Sequence, residues 1–113
     1  PGYSVLLPKR EVGSLNELSK REQSLFLQSM ATLGDAILTA CEPLRVNYDI
    51  LGNTDHFLHA HVFPRYQSEV PERLAKPVWL YAPSYWRDPQ YQYEPSQHDA
   101  IRQRITAALK TTN

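Results

Sequence analysis

Phe26, Met30, Leu33, Ile37 and Cys41 recur at steps of four, three, four and four, the period of one helical face, and no other feature limits the fold of this chain as much. Ser19 and Glu22 stand ahead of the run with capping-box spacing, and Pro43 stands behind it. The spacing therefore predicts an amphipathic helix over residues 19 to 41. A chain of 113 residues makes one domain with one core, so this stripe has to be buried against whatever else the sequence builds.

Strands are the material at hand. Tyr3-Ser4-Val5-Leu6-Leu7 reads as a short strand that stops at Pro8, where the missing amide ends a ladder. Arg45 to Ile50 reads as a strand, Gly52-Asn53-Thr54-Asp55 as a turn, and Leu58 to Phe63 as the returning strand of a hairpin. An α+β fold follows. After Arg65 the texture changes, with Pro71, Pro77, Pro83, Pro89 and Pro95 spread through a segment holding Trp79, Tyr81, Tyr85, Trp86, Tyr91 and Tyr93. Proline at this density excludes a long helix. Val78 to Tyr81 is expected as one edge strand, and the rest of 66–95 as an ordered loop whose rings pack on the body or stack on a ligand base. Ser96 is expected to cap a helix over residues 96–111 with Ile101, Ile105, Ala108 and Leu109 on one face and a solvated His98 in its first turn.

Composition mainly excludes. Twelve basic and twelve acidic residues cancel, which leaves no whole-chain argument for a nucleic-acid polymer or an anionic membrane as partner. The single cysteine, Cys41, forbids an internal disulfide and ends the apolar helical face, as a small buried hydrophobe does. No apolar run approaches the ~20 residues of a membrane span and no signal peptide is visible, so the expected location is cytoplasmic.

The chemistry lies in His59-Ala60-His61-Val62-Phe63-Pro64-Arg65. Alternate side chains of a strand share a face, which sends His59 and His61 to one side and Ala60 and Val62 to the core. Two imidazoles about 7 Å apart can meet one phosphate, one attacking and one steadying charge. Exposed strand histidines and a zinc pair completed elsewhere fit the same spacing. His56 is out of register with the pair, and no cysteine or carboxylate is placed to complete four ligands, so no metal site is assigned.

Pro1-Gly2-Tyr3-Ser4-Val5-Leu6-Leu7-Pro8-Lys9-Arg10, Asn47-Tyr48-Asp49-Ile50-Leu51-Gly52-Asn53 and Leu58-His59-Ala60-His61-Val62-Phe63-Pro64-Arg65 together resemble the histidine triad (HIT) family in order and spacing. Within it, Leu51-Gly52-Asn53 and the altered first triad position resemble a bacterial HIT-like hydrolase branch. The resemblance covers residues 1 to about 65. It implies an antiparallel sheet of about four to five strands with the long helix on one face, preceded by further strands that wall a base pocket and lie before the segment matched here. It implies a nucleotide hydrolase or transferase acting at the α-phosphate of a dinucleoside polyphosphate or nucleoside phosphoramidate, a two-fold homodimer, and no cofactor. His59 matches the histidine that attacks and becomes nucleotidylated. His61 matches the one beside the phosphate, and Asn53 a turn position that reaches phosphate or ribose.

The departures are specific. Phe57 occupies the first triad position and Tyr3 the place of a fourth histidine, where its hydroxyl would face the phosphate. Arg65 either adds charge to the site or ends the strand in solvent. A neutral imidazole is nucleophilic near pH 7 once one ring nitrogen donates to a fixed acceptor, and a backbone carbonyl on the strand can serve whatever its side chain. Two alternatives stay open: a nucleotide-binding module that has lost its chemistry, and a metal-binding protein using His56, His59 and His61.

Overall fold

The computed structural model describes residues 1–89 and 92–111. Tyr91 of the aromatic segment lies outside the described residues. The elements, in order, are β1 (Ser4–Leu6), α1 (Lys20–Cys41), β2 (Arg45–Asp49), β3 (Ala60–Arg65), α2 (Pro71–Leu74), α3 (Pro83–Arg87) and α4 (Pro95–Thr111). The three strands form one antiparallel sheet in the order β1-β3-β2. The fold is α+β, with three strands rather than four or five among the described residues.

Helix α1 begins as its sequence dictates. Ser19 Oγ accepts from Glu22 N at 3.2 Å, and Ser19 N donates to Glu22 Oε1 at 3.0 Å. These bonds, with the Arg10 guanidinium alongside, hold the Glu22 carboxyl down at about 2. The helix stops at Cys41, because Glu42 turns left-handed at φ 50° and returns its N–H to Leu38 O. By length and composition α1 also satisfies the requirements of a membrane span, contrary to the expectation from the sequence. Its face of Phe26, Met30, Leu33 and Ile37 is nevertheless packed within the domain: the first two lie with Leu58 and Ala60, the others with Val62, Ile105 and Ala108.

Both faces of β3 are covered, and that arrangement positions the site. Ala60 and Val62 are fully buried under α1, while Phe63 packs on the opposite face with Val78 and Tyr81. The strand runs on through Pro64 to Arg65, beyond the predicted end at Phe63. β1 borders β3 only from Ala60 to Val62, so Pro64 sits where the strand has β2 alone beside it, a position that tolerates a missing donor.

The segment after Arg65 is built from short helices. Pro71 and Pro83 open α2 and α3 at their first turns, and Pro77 precedes a 3₁₀ turn over Val78–Leu80. That turn stands where the edge strand was expected: proline fixes φ near the helical value and needs no donor at a helix start, so these residues initiate turns rather than edge a sheet. Pro95 likewise begins α4, one residue ahead of the predicted cap. Ser96 is therefore inside the first turn, and the Glu94 carboxylate accepts from its backbone N and hydroxyl. His98 is partly buried rather than solvated, and its Nδ1 accepts from Glu94 N at 2.8 Å.

Candidate active site

His59 comes immediately before β3 and His61 lies within it. Their rings share a face at 4.7 Å between centroids and 79° between planes, closer than a bare strand repeat. His59 is only 7 % exposed. Its Nδ1 lies 2.8 Å from the carbonyl oxygen of Phe57. A carbonyl only accepts, so Nδ1 carries the proton and Nε2 keeps its lone pair. Among the described residues no hydrogen bond reaches that Nε2, and no buried side-chain nitrogen or oxygen lacks a partner. The free lone pair therefore opens to solvent.

Phe57 stands beside His59, its ring 4.7 Å from the imidazole. It supplies a carbonyl that orients and an aromatic edge in place of an imidazole. His56 turns away and meets Asn53 O with its Nε2 at 3.2 Å, so it adds no nitrogen to the pair. Among the described residues no group of three or more His, Cys, Asp or Glu side chains converges as a metal site would require. Asn53 is exposed in the turn made possible by Gly52, whose φ of 90° suits glycine. The structure does not bring it into contact with either histidine.

Tyr3 comes from just before β1, 58 positions away in sequence, and its hydroxyl lies 2.6 Å from His61 Nδ1. Its ring stacks on Phe63 at 4.2 Å and 12°, which sets the hydroxyl's height over the strand. Burial raises the Tyr3 phenol above its usual range. Burial also lowers the His61 pKa, and His59 adds to this, while Asp49 and Asp55 pull the other way. At neutral pH His61 is an uncharged ring.

Two residues that the sequence reading did not assign complete the surroundings. Asp49 pairs with His61 across the β2–β3 ladder and accepts from Trp79 Nε1 at 2.9 Å. Trp79 sets its ring at 79° to His61, 4.7 Å between centroids, and stacks on Trp86. Asp49 could have been found by carrying the hairpin register back from His61. Trp79 had only its place among aromatic residues as a signal, since its partner is 30 residues earlier.

Arg65 lies neither in solvent nor at the histidines. It is 3 % exposed and its guanidinium donates to Glu69, Asn47 Oδ1, Arg73 O and Tyr81 Oη. Burial works against its charge, but Glu69 more than compensates. Glu69 in turn accepts from Tyr66 N and from the Tyr81 hydroxyl, and its carboxyl stays below the usual range although burial alone would raise it. This knot fastens the aromatic segment to β3. An open groove of about 620 Å³ runs along β2, lined by Arg45, Asn47, Asp49, Leu74 and Lys76 among others, and it includes neither histidine.

The same architecture occurs in solved structures. A histidine triad protein from Sinorhizobium meliloti is 20% identical over 94% of this chain and 73% of its own, with a TM-score of 0.78. The chain has the histidine triad fold. A histidine triad protein from Marinobacter aquaeolei VT8 superposes at a TM-score of 0.72 with 22% identity, over 96% of this chain and 74% of its own. A hypothetical histidine triad nucleotide-binding protein from Sulfolobus tokodaii gives 0.70 at 13% identity, over 97% of this chain and 70% of its own. No protein-family model and no curated protein matches the sequence. The histidine triad fold is thus evident in the backbone arrangement, as the resemblance of residues 1–10, 47–53 and 58–65 implied.

Proposed function

We propose that the protein is a nucleotide hydrolase or transferase acting at the α-phosphate of a nucleotide conjugate, a dinucleoside polyphosphate or nucleoside phosphoramidate, through a nucleotidyl-His59 intermediate. The observation that carries this reading is the Nδ1 of His59 held on Phe57 O at 2.8 Å, with its Nε2 lone pair open to the cleft. In the first step Nε2 forms a bond to the α-phosphorus while the bond to the leaving group breaks and its electron pair departs with that group. Positive charge on the ring is spread to Nδ1–H and its carbonyl. Water or another acceptor then attacks phosphorus, the P–N bond breaks, its electron pair returns to Nε2, and the proton of the attacking group passes to solvent. His61 supports charge on the phosphate oxygens. Histidine triad neighbours, one described as nucleotide-binding, support the ligand class. The proposed reaction draws on no metal or cofactor.

The test is rapid quenching after mixing with a panel of dinucleoside polyphosphates and nucleoside phosphoramidates in chelator. The expected result is an acid-labile, base-stable adduct on His59. His59→Asn abolishes turnover with nucleotide affinity within a few-fold, because its loss falls on the chemical step. Phe57 and Tyr3, standing where the family has histidines, favour a second reading, a nucleotide-binding module without chemistry. Nucleotide binding with neither adduct nor turnover across the panel selects that module.

A further inference from the structure

The geometry points to Tyr3 as a positioning residue: its hydroxyl donates to His61 Nδ1 and so holds His61 in the tautomer opposite to that of His59, with an N–H at Nε2 facing the cleft. The inference rests on the reading of the histidines as a phosphate site and deepens it. The two rings sit on one strand and meet different partners. His59 Nδ1 faces a carbonyl that can only accept, at 2.8 Å, an ordinary N–H···O length. His61 Nδ1 faces a phenol at 2.6 Å, shorter than the usual N–H···O range and within that of an O–H donor. The phenolic oxygen is also the poorer acceptor, since its lone pair is shared with the ring. The hydroxyl therefore donates, Nδ1 accepts, and the proton of a neutral His61 belongs on Nε2.

The surroundings keep that ring neutral and still. Tyr3 faces it from the β1 side, Asp49 from β2, His59 along its own strand and Asp55 from the turn. Asp49 already accepts from Trp79 Nε1, which reduces its pull on an imidazolium. Phe63 stacks on the Tyr3 ring, and Trp79 meets the His61 ring at 79°. The consequence is a division of labour at a single phosphate: a lone pair at Nε2 of His59 to attack, and an N–H at Nε2 of His61 to bind a phosphate oxygen. Two rings of one tautomer would give two lone pairs, which repel that oxygen, or two donors with no nucleophile. Tyrosine accomplishes here, without a charge, the orientation of the neighbouring ring.

The test is the long-range nitrogen–proton spectrum of the full chain labelled with ¹⁵N-histidine, near pH 7.5. His59 is expected to show the Nδ1–H pattern and His61 the Nε2–H pattern. Tyr3→Phe keeps the stack on Phe63; it is expected to leave His59 unchanged and move the His61 Nδ1 resonance to that of a ring nitrogen with no donor. Turnover at saturating nucleotide then falls about fivefold, the rate equivalent of one ordinary hydrogen bond, with KM within twofold. His61→Gln, which carries its amide near the ε position, retains more turnover than His61→Asn. An Nδ1–H pattern for wild-type His61, or the same His61 spectrum in wild type and Tyr3→Phe, overturns the inference whether or not the protein turns nucleotide over. Opposite tautomers in a protein without turnover uphold it while removing the proposed reaction.

Discussion

His61 is the residue at which pH enters. Burial, then the neighbouring His59, lower its pKa from the ordinary value of 6.5, with Asp49 and Asp55 opposing. In the unfolded chain the same ring protonates near 6.5. As pH falls below that value, the unfolded state takes up a proton that the folded state refuses, and stability declines across the window down to the lower folded pKa. Above 6.5 both states are neutral there and the effect vanishes. Wild type should therefore lose thermal stability relative to His61→Asn as pH falls through and below 6.5. Parallel melting curves for the two proteins over that range would mean that His61 is solvated.

At the scale of elements, the question is how a proline-rich segment comes to wall a cleft. Arg65 fastens it: one guanidinium reaches Asn47 on β2, Glu69 and Arg73 O around α2, and Tyr81 after the 3₁₀ turn. The Tyr81 hydroxyl, raised to about 12 by burial and by its bond to Glu69, stays a donor. Replacing Arg65 with Met fills the space but strands a partly buried carboxylate. The expected cost is about 2–3 kcal/mol, below that of a fully buried pair because Glu69 keeps some solvent. Amide exchange should quicken in residues 66–87 before it does in α1; uniform quickening would show that the knot holds the whole fold instead. The sequence reveals α1 and the strands because each repeats a period long enough to count. It conceals this segment because α2 and α3 are too short to show a period, and because the partners of Arg65 lie 18 residues before it and up to 16 after it. For the same reason His59 and His61 could be read from adjacent positions, while the Tyr3 bond and the Asp49–Trp79 bond had to wait for the fold.

For the whole molecule, the unassigned surface is on the side of α1 that the core does not use. At 100° per residue, Leu27, Ala31, Gly34 and Leu38 fall within about 60° of one another. Leu27 and Leu38 are 46% and 42% exposed, with Ala31 exposed between them. Gly34 is where Tyr48 of β2 packs, for a Cβ there would lie 1.9 Å from the Tyr48 hydroxyl. The stripe is thereby continuous with the exposed Tyr48 ring on β2, which ends the sheet among the described residues. An exposed apolar stripe of this kind suits a two-fold pair, in which each Leu38 would meet the partner's stripe. Sedimentation of the wild type at micromolar concentration is expected to give twice the 13.0 kDa chain mass. Leu38→Asp would bury a carboxylate against the partner's apolar surface and should give the single-chain mass with an unchanged circular dichroism spectrum. A wild-type monomer at that concentration would exclude the pair, and a variant that stays dimeric would move the contact away from α1. Because α1 lies across the sheet from the histidines, separating the chains should leave the tautomers of His59 and His61 as they are.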